Sequence, residues 1–254
     1  MKNYLEQPTV IKIGGSTLEE EDVTLKSLAK LYQQAHPLVV VHGGGPEIDK
    51  DLEELGIKPI KVNGQRVTDP ETLIVVVKRL DLINKRLTSK LTSYGVKVCE
   101  SGPFSSLLEG EIPNPSLGYV GRVTAVKADL INQRLQQGEI PIISPIAQAI
   151  QHPHSLLNIN GDLASSAVAI ALGANVIFLT NVPGVLDKNG ELIRDLTGSA
   201  FNQMYKQGAV SSGMIPKLEA AFNVSSAGGR TLICHHTNLA SAFGGNFLGT
   251  EVKI

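Results

Sequence analysis

Short, nearly unbroken runs of β-branched and aliphatic residues alternate along this chain with longer stretches whose apolar positions recur every three or four residues. The runs at Thr9–Ile13, Leu38–His42, Val96–Cys99, Ile140–Ser144, Asn175–Thr180 and Thr231–Cys234 predict strands. Continuous rather than alternating apolarity is expected of parallel strands covered on both faces. Between them, Leu73, Val77, Leu80, Ile83, Leu87 and Leu91 form one helical stripe, with Lys78, Arg79, Asp81, Lys85 and Arg86 on the opposite face. Further helices are predicted over Val23–Gln34, Pro46–Leu55, Ala128–Gln137, Asp162–Leu172, Ser199–Gln207 and Pro216–Ala227. Strand–helix alternation of this kind builds an open α/β sheet with right-handed crossovers.

Two places interrupt the rhythm. Glu109–Val126 carries Pro113, Pro115, Gly118 and Gly121 among short apolar pieces, and reads as hairpins or a lid over one sheet edge. A new βα series starts after Gly173, marking an organisational break.

Composition narrows the function. With 254 residues, 42% of them hydrophobic, the chain builds one large α/β domain or two fused lobes. A formal net charge of −1 gives no electrostatic basis for binding nucleic acid or an anionic membrane. There is no apolar run of about 18 residues to span a membrane, and Met1–Pro8 lacks the apolar core of a secretory signal. Cys99 and Cys234 stand far apart without a CxxC, so a reducing cytoplasm is the expected compartment.

Five segments carry candidate chemistry. In Val10-Ile11-Lys12-Ile13-Gly14-Gly15-Ser16 a strand bears a lysine and runs into a Gly-Gly turn. Ligands of open α/β sheets gather at the carboxyl ends of strands, and such a turn lets N–H groups approach an anion. A lysine in an apolar strand is costly unless it meets a negative partner. An ordinary turn with a snorkelling lysine would contain the same residues. In Val39-Val40-Val41-His42-Gly43-Gly44-Gly45-Pro46 a second strand ends in glycines, and the helix opened by Pro46 offers free N–H groups to an anion. His42 reads as structural, with general-base chemistry as the alternative. The HGGG also matches an esterase oxyanion hole, but no GxSxG elbow accompanies it. GxxxxGK[ST] and GxGxxG are absent as well.

Asn158-Ile159-Asn160-Gly161-Asp162 precedes a helix for which Asp162 is a natural N-cap. Capping leaves the two asparagines unexplained. In an extended segment Asn158, Asn160 and Asp162 share one face and could hold a ligand and orient lysines. In Ser212-Gly213-Met214-Ile215-Pro216-Lys217 a cation stands at a helix start, where the macrodipole disfavours it, which hints at an anionic partner. In Asn63-Gly64-Gln65-Arg66-Val67-Thr68, Arg66 offers a two-pronged fit to a carboxylate; taken alone it reads as a surface ion-pair residue. His152-Pro153-His154 and His235-His236 lack the companion ligands of a metal site and read as surface histidines.

In order, KIGGS, VVVHGGGPEID, NGQRVT, NINGD, LTNVPGVLD and SGMIPKLEAA resemble the amino-acid kinase family, and within it the N-acetylglutamate kinases. The likeness runs from about Val10 to Gly249-Thr250. It implies a three-layer αβα sandwich around an open, mainly parallel sheet. Residues 1–173 would form a lobe for amino-acid substrate and dimerisation, and residues 174–254 a lobe for ATP. Carried onto this chain, it makes Lys12 and Lys217 the pair that stabilises the transferring phosphoryl group, and Asp162 the carboxylate that holds them. Gly44, Gly45, Arg66, Asn158 and Asn160 would form the pocket for N-acetylglutamate, with Arg66 on its α-carboxylate. Gly14 and Gly15 would meet phosphate oxygens, and Asn181, Val182, Pro183, Gly184, Val185, Leu186, Ala209, Val210 and Ser211 the nucleotide. Mg²⁺ would be held mainly by the nucleotide phosphates, with no dedicated protein site.

Three features depart from the family pattern. Asn181 stands where relatives usually have Asp. Glu100-Ser101-Gly102-Pro103-Phe104 lacks the usual glycine- and aspartate-rich loop. The first strand follows within a few residues of Met1, whereas arginine-inhibited hexamers carry an extra N-terminal helix, so an arginine-insensitive homodimer is expected. The rival readings are a kinase for another acylated amino acid, such as carrier-bound aminoadipate, and a non-catalytic amino-acid sensor on the same fold. Keeping Lys12, Asp162 and Lys217 together argues against the sensor.

Overall fold

The computed structural model describes residues 7–18, 20–151, 155–208, 210, 213–244 and 246–254. Its strands, in chain order, are β1 (Thr9–Ile13), β2 (Leu38–His42), β3 (Lys61–Val62), β4 (Gln65–Arg66), β5 (Val98–Ser101), β6 (Leu108–Glu111), β7 (Val120–Val126), β8 (Ile140–Ile143), β9 (Ile146–Ala149), β10 (Leu156–Ile159), β11 (Asn175–Thr180), β12 (Asp195–Thr197), β13 (Thr231–His235) and β14 (Thr250–Lys253). Its helices are α1 (Glu21–Gln33), α2 (Gly45–Glu54), α3 (Pro70–Ser93), α4 (Ala128–Gln136), α5 (Gly161–Leu172), α6 (Gly198–Lys206) and α7 (Ile215–Ser226).

One eight-stranded sheet, ordered β12-β14-β13-β11-β1-β2-β8-β5, forms the middle layer. β13, β11, β1, β2, β8 and β5 run parallel, while β14 turns antiparallel to β13 and takes β12 with it. Successive strand residues point to opposite faces. Val10, Val39, Val41, Val176 and Phe178 therefore meet α4, α5 and α7, through Ile131, Ala164, Val168, Leu218 and Ala221. Ile11, Ile13, Val40, Ile142, Ile177 and Leu179 meet α1 and α3, through Leu25, Leu28, Ile83, Leu87 and Leu91. This two-sided burial is why the strands read as unbroken apolar runs. The three-layer αβα architecture and its mainly parallel sheet match the expectation.

The boundaries shift where caps take over. β5 starts at Val98 rather than Val96, because Gly95 turns left-handed (φ 77°) and the Val96 N–H closes back onto the Leu91 carbonyl at 3.1 Å. That is a helix C-terminal motif, and it holds Val96 to the end of α3. Asp162 is not the cap of α5. Asn160 takes that position, its side chain accepting from the Asp162 and Leu163 N–H groups at 2.9 and 3.2 Å.

The segment read as a lid is instead part of a small closed barrel, β10-β7-β6-β9. β6 and β7 do form a hairpin, but β9 and β10 close it, pairing Asn158 with Val120 and Ile159 with Gly121. A Cβ at Gly121 would stand 2.7 Å from side-chain atoms of Leu157 and Ile159, so glycine permits this closure. The barrel brings Val120 and Asn158 to the carboxyl end of the main sheet.

Candidate active site

β1, β2 and β11 end side by side, and the two glycine turns lie against each other above them. A Cβ on Gly15 would come within 2.8 Å of the Gly45 nitrogen, so these turns approach only as glycines. Lys12 rises from β1, Asp162 from the first turn of α5, and Lys217 from the first turn of α7. Freed from capping, Asp162 turns to the lysines. Its Oδ1 accepts from Lys12 Nζ at 2.8 Å and from Lys217 Nζ at 2.9 Å. All three residues are buried, at 7–8% exposure.

This arrangement is electrostatically incomplete. Two ammonium groups share one carboxylate oxygen, leaving one positive charge in a poorly solvated place, which is strongly unfavourable without a counter-ion. Burial alone would raise the Asp162 carboxyl, but Lys12 and then Lys217 outweigh it and hold the group far below the ordinary carboxylate range. Burial pushes Lys217 down to about 8, only partly opposed by Asp162, and Lys12 pushes in the same direction as burial. The Lys217 ammonium also lies over the Phe178 ring, 5.3 Å from its centre. The lysine at a helix start is thus not solvated; its charge is aimed into a site.

Two cavities meet at this cluster. The first, about 400 Å³, is walled by the second glycine run, the β3–β4 hairpin and the Asn158–Asp162 segment. The second, about 340 Å³, opens on the other side between Gly14, Gly15, Thr180, Asn181, Val182, Met214 and Lys217. Lys12, Gly15, Asp162 and Gly213 border both. The excess charge therefore lies where the contents of the two cavities would touch.

Gly44, Gly45, Arg66, Asn158 and Asn160 all line the first cavity. Arg66 is not a surface residue but 7% exposed. Its Nη1 lies 2.6 Å from Asp49 Oδ1, and its Nη2 donates to the Gly45 carbonyl at 3.2 Å. Lys61 pairs with Asp49 at 2.6 Å, so one helix carboxylate ties both strands of the hairpin to α2. Asn158 donates to Thr68 Oγ1 at 3.0 Å. Asp49 and Lys61 escaped the sequence reading, although Asp49 ends the PEID of the second glycine motif and Lys61 precedes NGQR.

Of the residues expected to meet the nucleotide, the structure brings only part together. Gly14, Gly15, Asn181 and Val182 line the second cavity. Pro183 and Gly184 lead away from its lining, and Gly184 packs on Thr250 instead. Val185 is buried in the core with its N–H bonded to Thr250 Oγ1 at 2.8 Å, and Leu186 bridges to Leu192. Val210 packs against the core. Ala209 and Ser211 lie outside the described residues, as does His152-Pro153-His154. His236 is not a surface histidine: it is 3% exposed, with Nδ1 3.4 Å from Thr24 Oγ1 and Nε2 3.4 Å from Glu20. Among the described residues no three His, Cys, Asp or Glu side chains gather as a metal site, and none of the helices is long and apolar enough to cross a membrane.

An α/β sheet that ends in two touching glycine turns, with buried lysines where two cavities meet, suits phosphoryl transfer, which rests on positioning and positive charge. The model of the amino acid kinase family matches residues 7–235, and the chain belongs to that family. It is 42% identical over 227 residues to the acetylglutamate kinase of Geobacillus thermodenitrificans, covering 87% of each chain. It is 39% identical to that of Pseudothermotoga lettingae over 90% of this chain and 83% of the relative. Among solved structures, smu.665 from Streptococcus mutans superposes with a TM-score of 0.85 at 32% identity, over 97% of this chain and 98% of the other.

Proposed function

We propose that this protein transfers the γ-phosphoryl group of ATP to the side-chain carboxylate of N-acetyl-L-glutamate, a step of arginine biosynthesis carried out in the cytoplasm. The observation that carries the proposal is the shared border of the two cavities at Lys12 and Asp162, with Lys217 of the second cavity bonded to that same carboxylate. Relatives named acetylglutamate kinase, at 38–42% identity over most of the chain, support the choice of acceptor.

The chemistry suits these residues. A glutamate-type carboxyl has an ordinary pKa near 4.3 and is ionised at neutral pH, so the nucleophile needs no general base. One carboxylate oxygen forms a bond to the γ-phosphorus as the bond to the β–γ bridging oxygen breaks, and that electron pair leaves with ADP. The products are ADP and an acyl phosphate, and no proton moves. The barrier is the approach of one anion to another. Lys12 and Lys217 offset it, Asp162 fixes them in place, and the N–H groups of the glycine turns add donors. Arg66 is assigned to the α-carboxylate, where its fork fits and its pairing with Asp49 pre-orients it. The division of labour is residues 1–173 for the amino-acid substrate and residues 174–254 for the nucleotide.

The donor set argues for a metal carried by the nucleotide. Asp162, among the described residues the one carboxylate bordering both cavities, already serves two lysines, and Asn181 offers the second cavity an amide. Mg²⁺ on the ATP phosphates would neutralise charge there, with this chain supplying at most carbonyl oxygens and water-mediated contacts. Two copies of the chain are proposed to pair through the apolar groove lined by Leu73, Ile74, Val77 and Phe104, where Ile74 and Phe104 are 69% and 72% exposed. A monomer mass in light scattering would remove that assignment.

The deciding test is an ATP-dependent hydroxylamine trap with N-acetylglutamate, glutamate, N-acetylaspartate and aminoadipate. Hydroxamate is expected from N-acetylglutamate above the rest. Hydroxamate mainly from aminoadipate would move the acceptor, and none from any acid would favour a non-catalytic sensor.

A further inference from the structure

Directly beneath the second glycine run lies a buried polar network in which the phosphoryl chemistry so far described takes no part. His42, the last residue of β2, is fully buried, as is Asn84 of α3, and Ser144 after β8 is nearly so. His42 Nδ1 lies 3.0 Å from the Gly43 carbonyl oxygen. His42 Nε2 lies 3.0 Å from Ser144 Oγ and 3.1 Å from Asn84 Nδ2, which also donates to the Ile142 carbonyl at 2.8 Å.

These partners determine the tautomer. A carbonyl oxygen only accepts, so Nδ1 must carry the hydrogen; the Asn84 amide only donates from Nδ2, so Nε2 must accept. The ring is therefore neutral and single-tautomer, which agrees with burial pushing its pKa down to about 4 despite the hydrogen bond to Gly43. The consequence passes through one peptide bond. In a planar trans peptide the C=O and N–H point in opposite directions. With the Gly43 carbonyl turned towards the imidazole, the Gly44 N–H points away from it. Gly44 borders the first cavity, and among the described residues no protein acceptor takes its hydrogen. The rest of the turn is held from the same side: a Cβ on Gly44 would meet Ile83 at 2.7 Å and Leu80 at 3.1 Å, both on α3 with Asn84.

We propose that His42, locked as the Nδ1–H tautomer by Asn84 and Ser144, is a positioning residue that aims the Gly44 N–H at the oxygen atoms meeting in phosphoryl transfer. It touches neither substrate and exchanges no proton. It acts by denying the Gly43–Gly44 peptide its alternative orientation, in which a carbonyl oxygen would face the incoming anions. This rests on the phosphoryl-transfer reading, but part of it is testable without activity.

Long-range ¹⁵N–¹H NMR of the imidazole in the wild-type protein at pH 7 is expected to show a protonated Nδ1 and a bare Nε2. An Nε2–H tautomer or an imidazolium would overturn the proposal. Titration with ATP should shift the ¹⁵N-labelled Gly44 amide; an unmoved Gly44 amide beside shifting Gly14 and Gly15 amides would also overturn it. Both measurements hold even if N-acetylglutamate proves not to be the acceptor, so the two failures are distinguishable. Among variants, asparagine places an amide N–H about where Nδ1–H stands, and glutamine reaches only the Nε2 position. His42→Asn should keep kcat within about threefold of wild type. His42→Gln and His42→Leu should lose about 10- to 100-fold in kcat, less than deleting such a donor costs, because the N–H is misaimed rather than removed. The KM for ATP should stay within about twofold in all three, since the misaimed N–H costs the transition state rather than the binding of the nucleotide. Equal losses in His42→Asn and His42→Gln would reduce the network to packing alone and refute the proposal.

Discussion

Replacing Asp162 with asparagine keeps the size of the side chain and removes the one charge that two buried ammonium groups share. Both nitrogens sit on the same oxygen, at 2.8 and 2.9 Å, so they are at most about 5.7 Å apart. At an effective dielectric constant of about 20, two like charges at that separation repel by about 3 kcal/mol. Removing one partner of a buried pair costs about 3–5 kcal/mol, of which this repulsion is a large part. At about 2–4 °C per kcal/mol for a chain of this size, Asp162→Asn should melt about 6–20 °C below wild type. A bound anion replaces the missing charge, so ATP or sulfate should raise the melting temperature of the variant by more than that of wild type. With the lysines no longer fixed, kcat should fall by about 100-fold or more. Differential scanning calorimetry with and without sulfate, alongside initial rates, measures all three. A variant that melts within about 2 °C of wild type, gains no extra stabilisation from sulfate and keeps kcat within about tenfold would refute the shared-charge reasoning.

Other consequences follow from the same geometry. Lys217, pushed down to about 8, loses its charge as pH rises through that value, so kcat/KM should fall on the alkaline side with a limb near 8. Its contribution to stability has the opposite sign: between about 8 and the ordinary lysine value near 10.4 the unfolded chain binds more protons, so this residue's contribution rises with pH. A kcat/KM profile flat to pH 10 would contradict the assignment. Lys12→Ala and Lys217→Ala should each lower kcat by about 10²–10³-fold while melting close to wild type, because Asp162 keeps one partner; near-normal turnover in either would remove the assigned role. Arg66→Ala should raise the KM for N-acetylglutamate by about 10- to 150-fold, the worth of a charge-assisted bond, and leave the KM for ATP unchanged. Equal effects on both substrates would place Arg66 elsewhere in the reaction.

Much of the fold is visible in the residue pattern, because two-sided burial leaves so plain a mark. β1, β2 and β11 match their apolar runs residue for residue. The small barrel is not visible, since β9 and β10 are four residues each and gain their partners only from distant segments. The lysine–aspartate cluster is spread over positions 12, 162 and 217, and each residue taken singly fits an ordinary role: a snorkelling lysine, an N-cap, a solvated helix-start cation. Only their order within the family motifs joins them, and only the fold shows that Asn160 relieves Asp162 of capping. The Asp49–Arg66–Lys61 tie and the His42–Asn84–Ser144 network have no local signature, because their members meet across elements 12 to 102 residues apart in the chain.

The central claim, that a carboxylate oxygen in one cavity attacks the γ-phosphorus of a nucleotide in the other, is tested most directly by isotope. The protein is mixed with ATP and N-acetylglutamate carrying ¹⁸O in its side-chain carboxylate, and the products are read by ³¹P NMR. The expected result is an acyl phosphate resonance displaced by a single ¹⁸O bonded to phosphorus, formed in step with ADP. Consumption of ATP to ADP and unlabelled phosphate, with no acyl phosphate resonance, would contradict it.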